Sequence, residues 1–315
     1  MQVRIIHKYD VATDICAFEL ARPDGSALPA FAAGAHIDVH VGDGLVRQYS
    51  LCNRPGDLRR YVIGVLREVH SRGGSIAMHA LAEGSLLEIS EPKNHFPLAE
   101  AATHSLLLAG GIGVTPILSM AGHLAGSGSS FEMHYCTRDP ERAAFRERLT
   151  EARFAGRVHL YFDSAPADER VNLRALLAAP EAGKHLYVCG PAGFIGAVLD
   201  AAVAAGWDER NLHREYFAAV AQPEASGADF RVELASSGQV IDVKGSQTVI
   251  AALMAAGVDV PTSCEQGVCG TCLTRVLSGE PDHRDVYLTD DERAANDCFL
   301  PCCSRSKSPV LVLDL

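Results

Sequence analysis

No run in this 315-residue chain approaches the roughly 18 consecutive apolar residues needed to span a bilayer. The opening stretch Met1-Gln-Val-Arg-Ile-Ile-His-Lys8 lacks the apolar core of a signal peptide. Basic charge is scarce. The 28 Lys and Arg face 39 Asp and Glu, and the net charge of −11 argues against a polyanionic nucleic acid as partner. Without a secretion signal, the ten cysteines do not read as a disulfide framework, and the expectation is a reducing cytoplasm and no membrane. What remains is a globular chain, 48% hydrophobic and 21% charged, able to bury real cores and long enough for two or three domains.

Four of the cysteines organise the reading. Cys264-Glu-Gln-Gly-Val-Cys269-Gly-Thr-Cys272, with Cys302 well downstream, has the C-x4-C-x2-C spacing and distant fourth cysteine of a plant-type [2Fe–2S] site. Two irons need four converging thiolates, so one tight loop supplies three and a remote segment the fourth. Gly267 and Gly270 let that loop turn with positive φ and bring N–H groups near the sulfurs. A structural zinc site favours short C-x2-4-C pairs on both sides, and the second side has none. A zinc-stabilised sensing protein without turnover is thus the weaker rival. Cys298, Cys302 and Cys303 compete for the fourth place. Adjacent cysteines point in different directions, so Cys302 and Cys303 do not ligate together. In plant-type ferredoxins the fourth ligand precedes a small residue pair and the final strand. Leu300-Pro-Cys302-Cys303-Ser304 resembles that arrangement, and the resemblance implies Cys302. Cys16, Cys52, Cys136, Cys189, Cys298 and Cys303 otherwise suit small buried hydrophobes.

Three segments emerge. Residues 1–100 carry short alternating runs (Val3–His7, Ile15–Leu20, His36–Val41, Tyr61–Leu66, Ser85–Ile89) between turn signals, which predicts an antiparallel β-barrel with one helix, Ser75–Leu81. Arg47-Gln-Tyr49-Ser50 ends one strand. Arg72-Gly73-Gly74-Ser75 opens the helix and suits an anion. Taken singly, each has a plain alternative as a surface arginine, a core tyrosine or a capped loop.

Residues 101–222 alternate strands and helices, predicting a covered parallel sheet. The expected helices include one over Glu141–Leu149. Gly110-Gly111-Ile-Gly113-Val-Thr115-Pro116 joins the first strand to its helix, where a pyrophosphate meets backbone N–H groups. It lacks the last glycine of G-x-G-x-x-G, which Pro116 replaces. Cys189-Gly190-Pro191 follows a later strand. Asp163 after another strand suits a free ribose diol, whereas Arg138 is ambiguous. A Pro- and Gly-containing linker, 218–228, leads to residues 229–315. There a hairpin at Ser237-Gly238, a helix over Val249–Ala256, a strand continuing from Cys272 and a closing strand at Leu311 predict an α+β, β-grasp-like ferredoxin.

The whole chain is similar to the phthalate dioxygenase reductase and vanillate demethylase reductase family. The resemblance is carried by Arg47-Gln-Tyr-Ser-Leu-Cys-Asn53, Glu91-Pro-Lys-Asn-His-Phe-Pro-Leu98, Gly110–Ile117, Cys189-Gly-Pro191 and Glu280–Glu292. It implies FMN, with the ring against Tyr49 and Ser50 and the phosphate at Arg47 and Gly73–Ser75; Arg67 is a further candidate by position. It implies NADH, with Cys189 near the nicotinamide and Phe217, or secondarily Tyr216, covering the flavin face. It implies electron transfer from NADH through FMN and [2Fe–2S] to a Rieske-type terminal oxygenase. A cytochrome P450 is the alternative acceptor. Replacing Arg47 and Ser75 by Ala should weaken FMN retention and leave the cluster intact, as measured by flavin released on gel filtration against iron content. Unchanged flavin would refute that assignment.

Overall fold

The computed structural model describes residues 1–42, 45–68, 73–217, 227–262 and 264–315. Arg72 and most of the 218–228 linker lie outside the described residues. The chain divides into two compact units, Met1–Glu215 and Tyr216–Leu315.

The first unit begins with β1 (Gln2–Ala12), β2 (Ile15–Ala21), β3 (His36–His40), β4 (Val46–Ser50), β5 (Tyr61–Leu66), helix α1 (Gly74–Ala80) and β6 (Leu86–Ile89). The strands pair antiparallel in the order β4-β3-β6-β1-β2-β5. The two ends of that sheet meet: Leu51 bridges Ile63, and Cys52 N–H donates to the Val62 carbonyl at 2.8 Å. The barrel is therefore closed and leaves no open edge there. Alternate residues fill its interior, among them Val3, Ile5, Phe18, Ile37, Leu51, Ile63 and Met78.

A parallel sheet follows. Its elements are β7 (His104–Gly110), α2 (Val114–Ser127), β8 (Phe131–Thr137), α3 (Arg146–Leu149), β9 (Val158–Phe162), α4 (Leu173–Leu176), β10 (Lys184–Cys189), α5 (Ala192–Ala204) and β11 (Leu212–Glu215). The order is β11-β10-β7-β8-β9, all parallel. The chain leaves β7 toward β8 and β9, then returns to the other side of β7. The direction of winding thus reverses between β7 and β10.

The barrel and the parallel sheet share one core. Ile15, Ala17 and Val62 point out of the barrel and pack with Leu107, Ile117, Met133 and Tyr187. This is why six consecutive residues of β2 are buried, where a half-exposed strand would alternate. Polar links cross the same seam. Ser119 Oγ donates to the Asn53 carbonyl at 3.0 Å, Arg148 Nη2 to the Cys52 carbonyl at 3.0 Å, and Ala99 N–H to the Tyr187 hydroxyl at 2.8 Å.

One expected helix is not there. Glu141–Leu149 is a 3-10 turn at 140–142, a residue in the left-handed region at Phe145 (φ 60°), and the single turn α3. Such a conformation costs an ordinary residue about 1–2 kcal/mol. The compensation is burial: Phe145 is 4% exposed, and its ring reaches the barrel at Gly64.

The second unit contains β12 (Phe230–Leu234), β13 (Val240–Val243), α6 (Val249–Ala255), β14 (Thr274–Ser278), β15 (Pro281–Asp282), α7 (Asp290–Ala295), β16 (Cys298–Phe299), β17 (Arg305–Ser306) and β18 (Val310–Leu313). Its main sheet runs β13-β12-β18-β14-β16, with β12 and β18 parallel and the other pairs antiparallel. The hairpin between β12 and β13 turns at Gly238, and α6, capped by the Thr248 hydroxyl, buries Val249, Ile250 and Leu253 against Val232 and Leu311. This is the α+β ferredoxin arrangement, although β14 starts at Thr274, two residues later than expected. Cys272 and Cys302 belong to the same core.

A Cβ at Gly64 would lie 2.9 Å from Thr115 Cγ2 and 3.1 Å from the Phe145 ring, in the seam between barrel and sheet. Gly64→Ala should lower the free energy of unfolding of this unit by about 1–3 kcal/mol, the usual cost of overpacking. Urea unfolding followed by Trp207 fluorescence checks it.

Candidate functional site

The end of β4 projects Arg47 and Tyr49 to one side and Ser50 to the other, as strand geometry requires. The Tyr49 hydroxyl is buried and finds no hydrogen-bond partner among the described residues; burial pushes its pKa up to about 12, with Arg47 opposing. A buried orphan of this kind costs free energy unless something else meets it. Arg47 lies across the first turn of α1. A Cβ at Gly74 would come 2.6 Å from Arg47 Nε, so a side chain here would push the arginine away. Gly73 precedes the helix at φ 92°, the first turn holds no acidic residue, and Ser75 Oγ accepts from Glu68 N–H at 3.1 Å. A buried aromatic hydroxyl without a partner among the described residues, beside an arginine packed on a helix start that has no side-chain cap, fits a flat aromatic ligand with a phosphate. Arg67 is placed differently: it follows β5 and pairs with Asp14 at 2.8 Å.

A second feature forms where the winding reverses, the crevice in which open α/β sheets bind ligands. The turn Gly110–Gly113 leaves β7 while Cys189-Gly190-Pro191 leaves the neighbouring β10. The two lie backbone to backbone. A side chain on Gly113 would collide with the Cys189–Gly190 peptide, and one on Gly190 would come 2.9 Å from Gly110 Cα. Thr115 turns its hydroxyl back to the Ile112 carbonyl at 3.1 Å, and Pro116 sits in the first turn of α2. Arg138 and Asp163 directly follow β8 and β9 at the same end of the sheet. Hydrogen bonds from Asp163 N–H to the Thr137 carbonyl and from Ser164 N–H to the Arg138 carbonyl, both 2.9 Å, join them, and both side chains are exposed.

Glu215, which the sequence reading passed over, connects barrel and sheet at this point. It ends β11 opposite Cys189 of β10 and receives a hydrogen bond from Ser50 of β4. Its Oε2 is buried without a partner among the described residues. Burial pushes its pKa from 4.5 up to about 8, against the Ser50 hydrogen bond, so the carboxyl group is protonated at neutral pH. Burial, with Glu215 adding to it, holds the fully buried Cys189 thiol well above its ordinary range. Nothing local in His213-Arg-Glu-Tyr-Phe217 distinguishes this glutamate from a surface one; only the pairing of β11 with β10 reveals it. Phe217 follows two residues later and is 39% exposed.

In the second unit the four cysteines come together as two pairs. Cys264 hydrogen-bonds to Cys269, and Cys272 to Cys302. In each pair one sulfur accepts and the other donates: Cys269 is held down to about 5, chiefly by Cys264, while Cys264 is raised. Loop amides also point at sulfur, from Gln266 N to Cys264 at 3.3 Å and from Thr271 N to Cys269 at 3.4 Å. Gly267 and Gly270 have φ of 71° and 70°. Cys298 hydrogen-bonds to Asp297, and Cys303 packs on Gly267. No three His, Cys, Asp or Glu side chains among the described residues converge as one ion would need. Two thiol pairs with amides aimed at sulfur fit a two-iron centre with two ligands per iron better than a single zinc.

No helix among the described residues is long and apolar enough to cross a membrane. Residues 232–307 match the family model of the 2Fe-2S iron-sulfur cluster binding domain, and 90–212 match that of the N-terminal domain of the dimethylamine monooxygenase subunit DmmA-like proteins. The vanillate O-demethylase oxidoreductase of Pseudomonas sp. strain HR199 is 56% identical over 306 residues, covering 97% of this chain and 96% of the relative. The solved structure of phthalate dioxygenase reductase, described as modular for electron transfer from pyridine nucleotides to [2Fe–2S], is 39% identical with a TM-score of 0.77, covering 100% of this chain and 98% of that one. A type IV self-sufficient cytochrome P450 monooxygenase is 38% identical over the whole chain with a TM-score of 0.86; this chain spans 41% of that longer one. With the barrel, the parallel sheet and the ferredoxin in the same order over nearly the full length of such relatives, this chain belongs to the phthalate dioxygenase reductase and vanillate O-demethylase oxidoreductase family.

Proposed function

We propose that this chain is the NADH-dependent reductase component of a Rieske-type oxygenase that hydroxylates aromatic rings or removes O-methyl groups, working in the cytoplasm. The observation that carries the reading is the end-to-end likeness to a vanillate O-demethylase oxidoreductase. The division of labour follows the three segments: 1–100 for FMN, 101–222 for NADH and 229–315 for the [2Fe–2S] cluster. Arg47, Tyr49, Ser50 and Gly73–Ser75, with Arg72 and Arg67 flanking, would hold FMN. Gly111, Gly113, Thr115 and Pro116 would take the NADH pyrophosphate, Asp163 and Arg138 the adenosine ribose, and Cys189-Gly190-Pro191 the nicotinamide, with Phe217 covering the flavin. Cys264, Cys269, Cys272 and Cys302 would ligate the irons. When bound, FMN supplies the conversion between a two-electron hydride donor and the one-electron cluster.

The chain's own residues position and exclude. Arg47 supplies charge for a phosphate without a metal. The glycine turns let a dinucleotide approach bare backbone. Glu215 holds a proton between Ser50 and Cys189, at the strand ends that would receive the nicotinamide. A cytochrome P450 acceptor is the second reading, favoured by the fused relative. Reconstitution with purified Rieske oxygenase and P450 components separates the two.

Two outcomes are expected. The protein as purified should carry FMN, two irons and two labile sulfides per chain and reduce cytochrome c with NADH; an iron-free preparation from anaerobic expression sinks the proposal. The second concerns Glu215, whose folded pKa of about 8 lies above its ordinary 4.5. Below 4.5 both states hold the proton; between 4.5 and about 8 only the folded state does, so stability falls as pH rises across that window and the loss is complete once the folded state ionises. Glu215→Gln should therefore gain stability relative to the parent between about pH 5 and about pH 9. A difference in urea midpoint that does not change with pH would contradict it.

A further inference from the structure

The string Glu280–Glu292 carries much of the likeness to the family, yet none of the three binding sites uses it. Its acidity reads in sequence as a solvated face. The structure places its central residue elsewhere. The Asp285 side chain is 0% exposed. Its Oδ2 accepts from the backbone N–H groups of Leu288 at 2.8 Å and Tyr287 at 3.2 Å, and its Oδ1 accepts from the Ser304 hydroxyl at 3.4 Å. Arg293 Nη2 donates to the Asp285 carbonyl at 2.8 Å.

The turn held this way lies on the cysteine loop. Val286 N–H donates to the Gly267 carbonyl at 3.0 Å. A Cβ on Gly267 would fall 2.9 Å from Asp285 Cα, and one on Gly270 would run into the Tyr287 ring. The two glycines on either side of Cys269 are therefore covered by one turn. Ser304, the other partner of Asp285, stands two residues after Cys302. One buried carboxyl group thus ties the loop bearing three cysteines to the segment bearing the fourth.

We infer that Asp285 is a positioning residue of the [2Fe–2S] site: through the 285–288 turn and Ser304 it sets how the Cys264–Cys269 pair stands relative to the Cys272–Cys302 pair. The inference rests on the proposed cluster reading. Outer residues that orient ligands also control solvent access, and both tune an iron–sulfur centre. Asp285 touches no iron and donates no ligand; its effect passes through the backbone that carries the cysteines.

The test uses the full-length protein and three variants, Asp285→Asn, Ser304→Ala and the double variant. Asn keeps the size of Asp but turns one acceptor oxygen into a donor. Ser304→Ala deletes only the tie to the fourth-cysteine segment. Iron, sulfide and FMN are counted. The cluster is then read by visible circular dichroism, by the g values of its reduced form and by its midpoint potential in a dye-mediated titration. FMN content should match the parent in all three. Both single variants should shift the g values and the potential, in the same direction. The double variant should shift no further than the larger single one, as expected for groups acting through one contact. If Asp285→Asn fails to fold, Ser304→Ala alone decides. Parental spectra and potential in Ser304→Ala, with two irons present, overturn the inference. A parent protein without two irons overturns the cluster reading itself, a separate and distinguishable result.

Discussion

The contact on which most of the nucleotide side depends is backbone against backbone at the end of two neighbouring strands. Gly113 stands where any side chain would strike the Cys189–Gly190 peptide, and Gly190 stands against Gly110. The turns leaving β7 and β10 can therefore lie flush at the reversal of winding, with the Phe194 and Pro191 rings packed against Gly110. That arrangement presents donors whose positions are set by the sheet itself. The same device recurs in the second unit, where Gly267 and Gly270 clear space for the turn at 285–287. In both places glycine gives up local conformational restraint so that two stretches of backbone approach closely.

Two buried carboxyl groups solve the cost of burial differently. Among the described residues Glu215 has one hydrogen bond, from Ser50, and no cation acting on it, so it keeps its proton to about pH 8. Asp285 is met by donors on both oxygens, from two backbone amides and a hydroxyl. The first is left with one oxygen buried and unpartnered among the described residues. The second is satisfied inside its own unit and is fixed there. A group that must respond to a passing substrate needs slack, whereas a group that holds a framework needs none.

The strand and helix alternation of the parallel sheet, the barrel strands and the spacing of Cys264, Cys269 and Cys272 were legible because each is a local pattern. Periodicity and spacing are written within a few residues. Phe145 was not legible in this way: its neighbours favour a helix, and only the barrel surface at Gly64, 81 positions upstream, draws the ring away and breaks it. Glu215 depends on β11 lying beside β10 and on Ser50 arriving from β4, two long-range pairings that no window of sequence contains. Asp285 sat in a string read as acidic surface. Its burial follows from Gly267 and Ser304, which approach it from either side in the fold.

These placements follow from what each unit would have to move. A hydride travels only between groups in contact, so the donor and acceptor must be brought together. In the proposed reading the first unit would serve this with Tyr49, Glu215 and glycine backbone at the junction of barrel and parallel sheet. Single electrons need no contact and no accompanying proton. What they need is a centre whose geometry changes little when its charge changes, since reorganisation slows transfer. The second unit would meet that demand with Cys272 and Cys302 packed into a hydrophobic core and the loop carrying Cys264 and Cys269 set against the turn that Asp285 holds. Looseness on the hydride side and bracing on the electron side are thus two answers to one requirement, that each particle be handled at the range over which it can move.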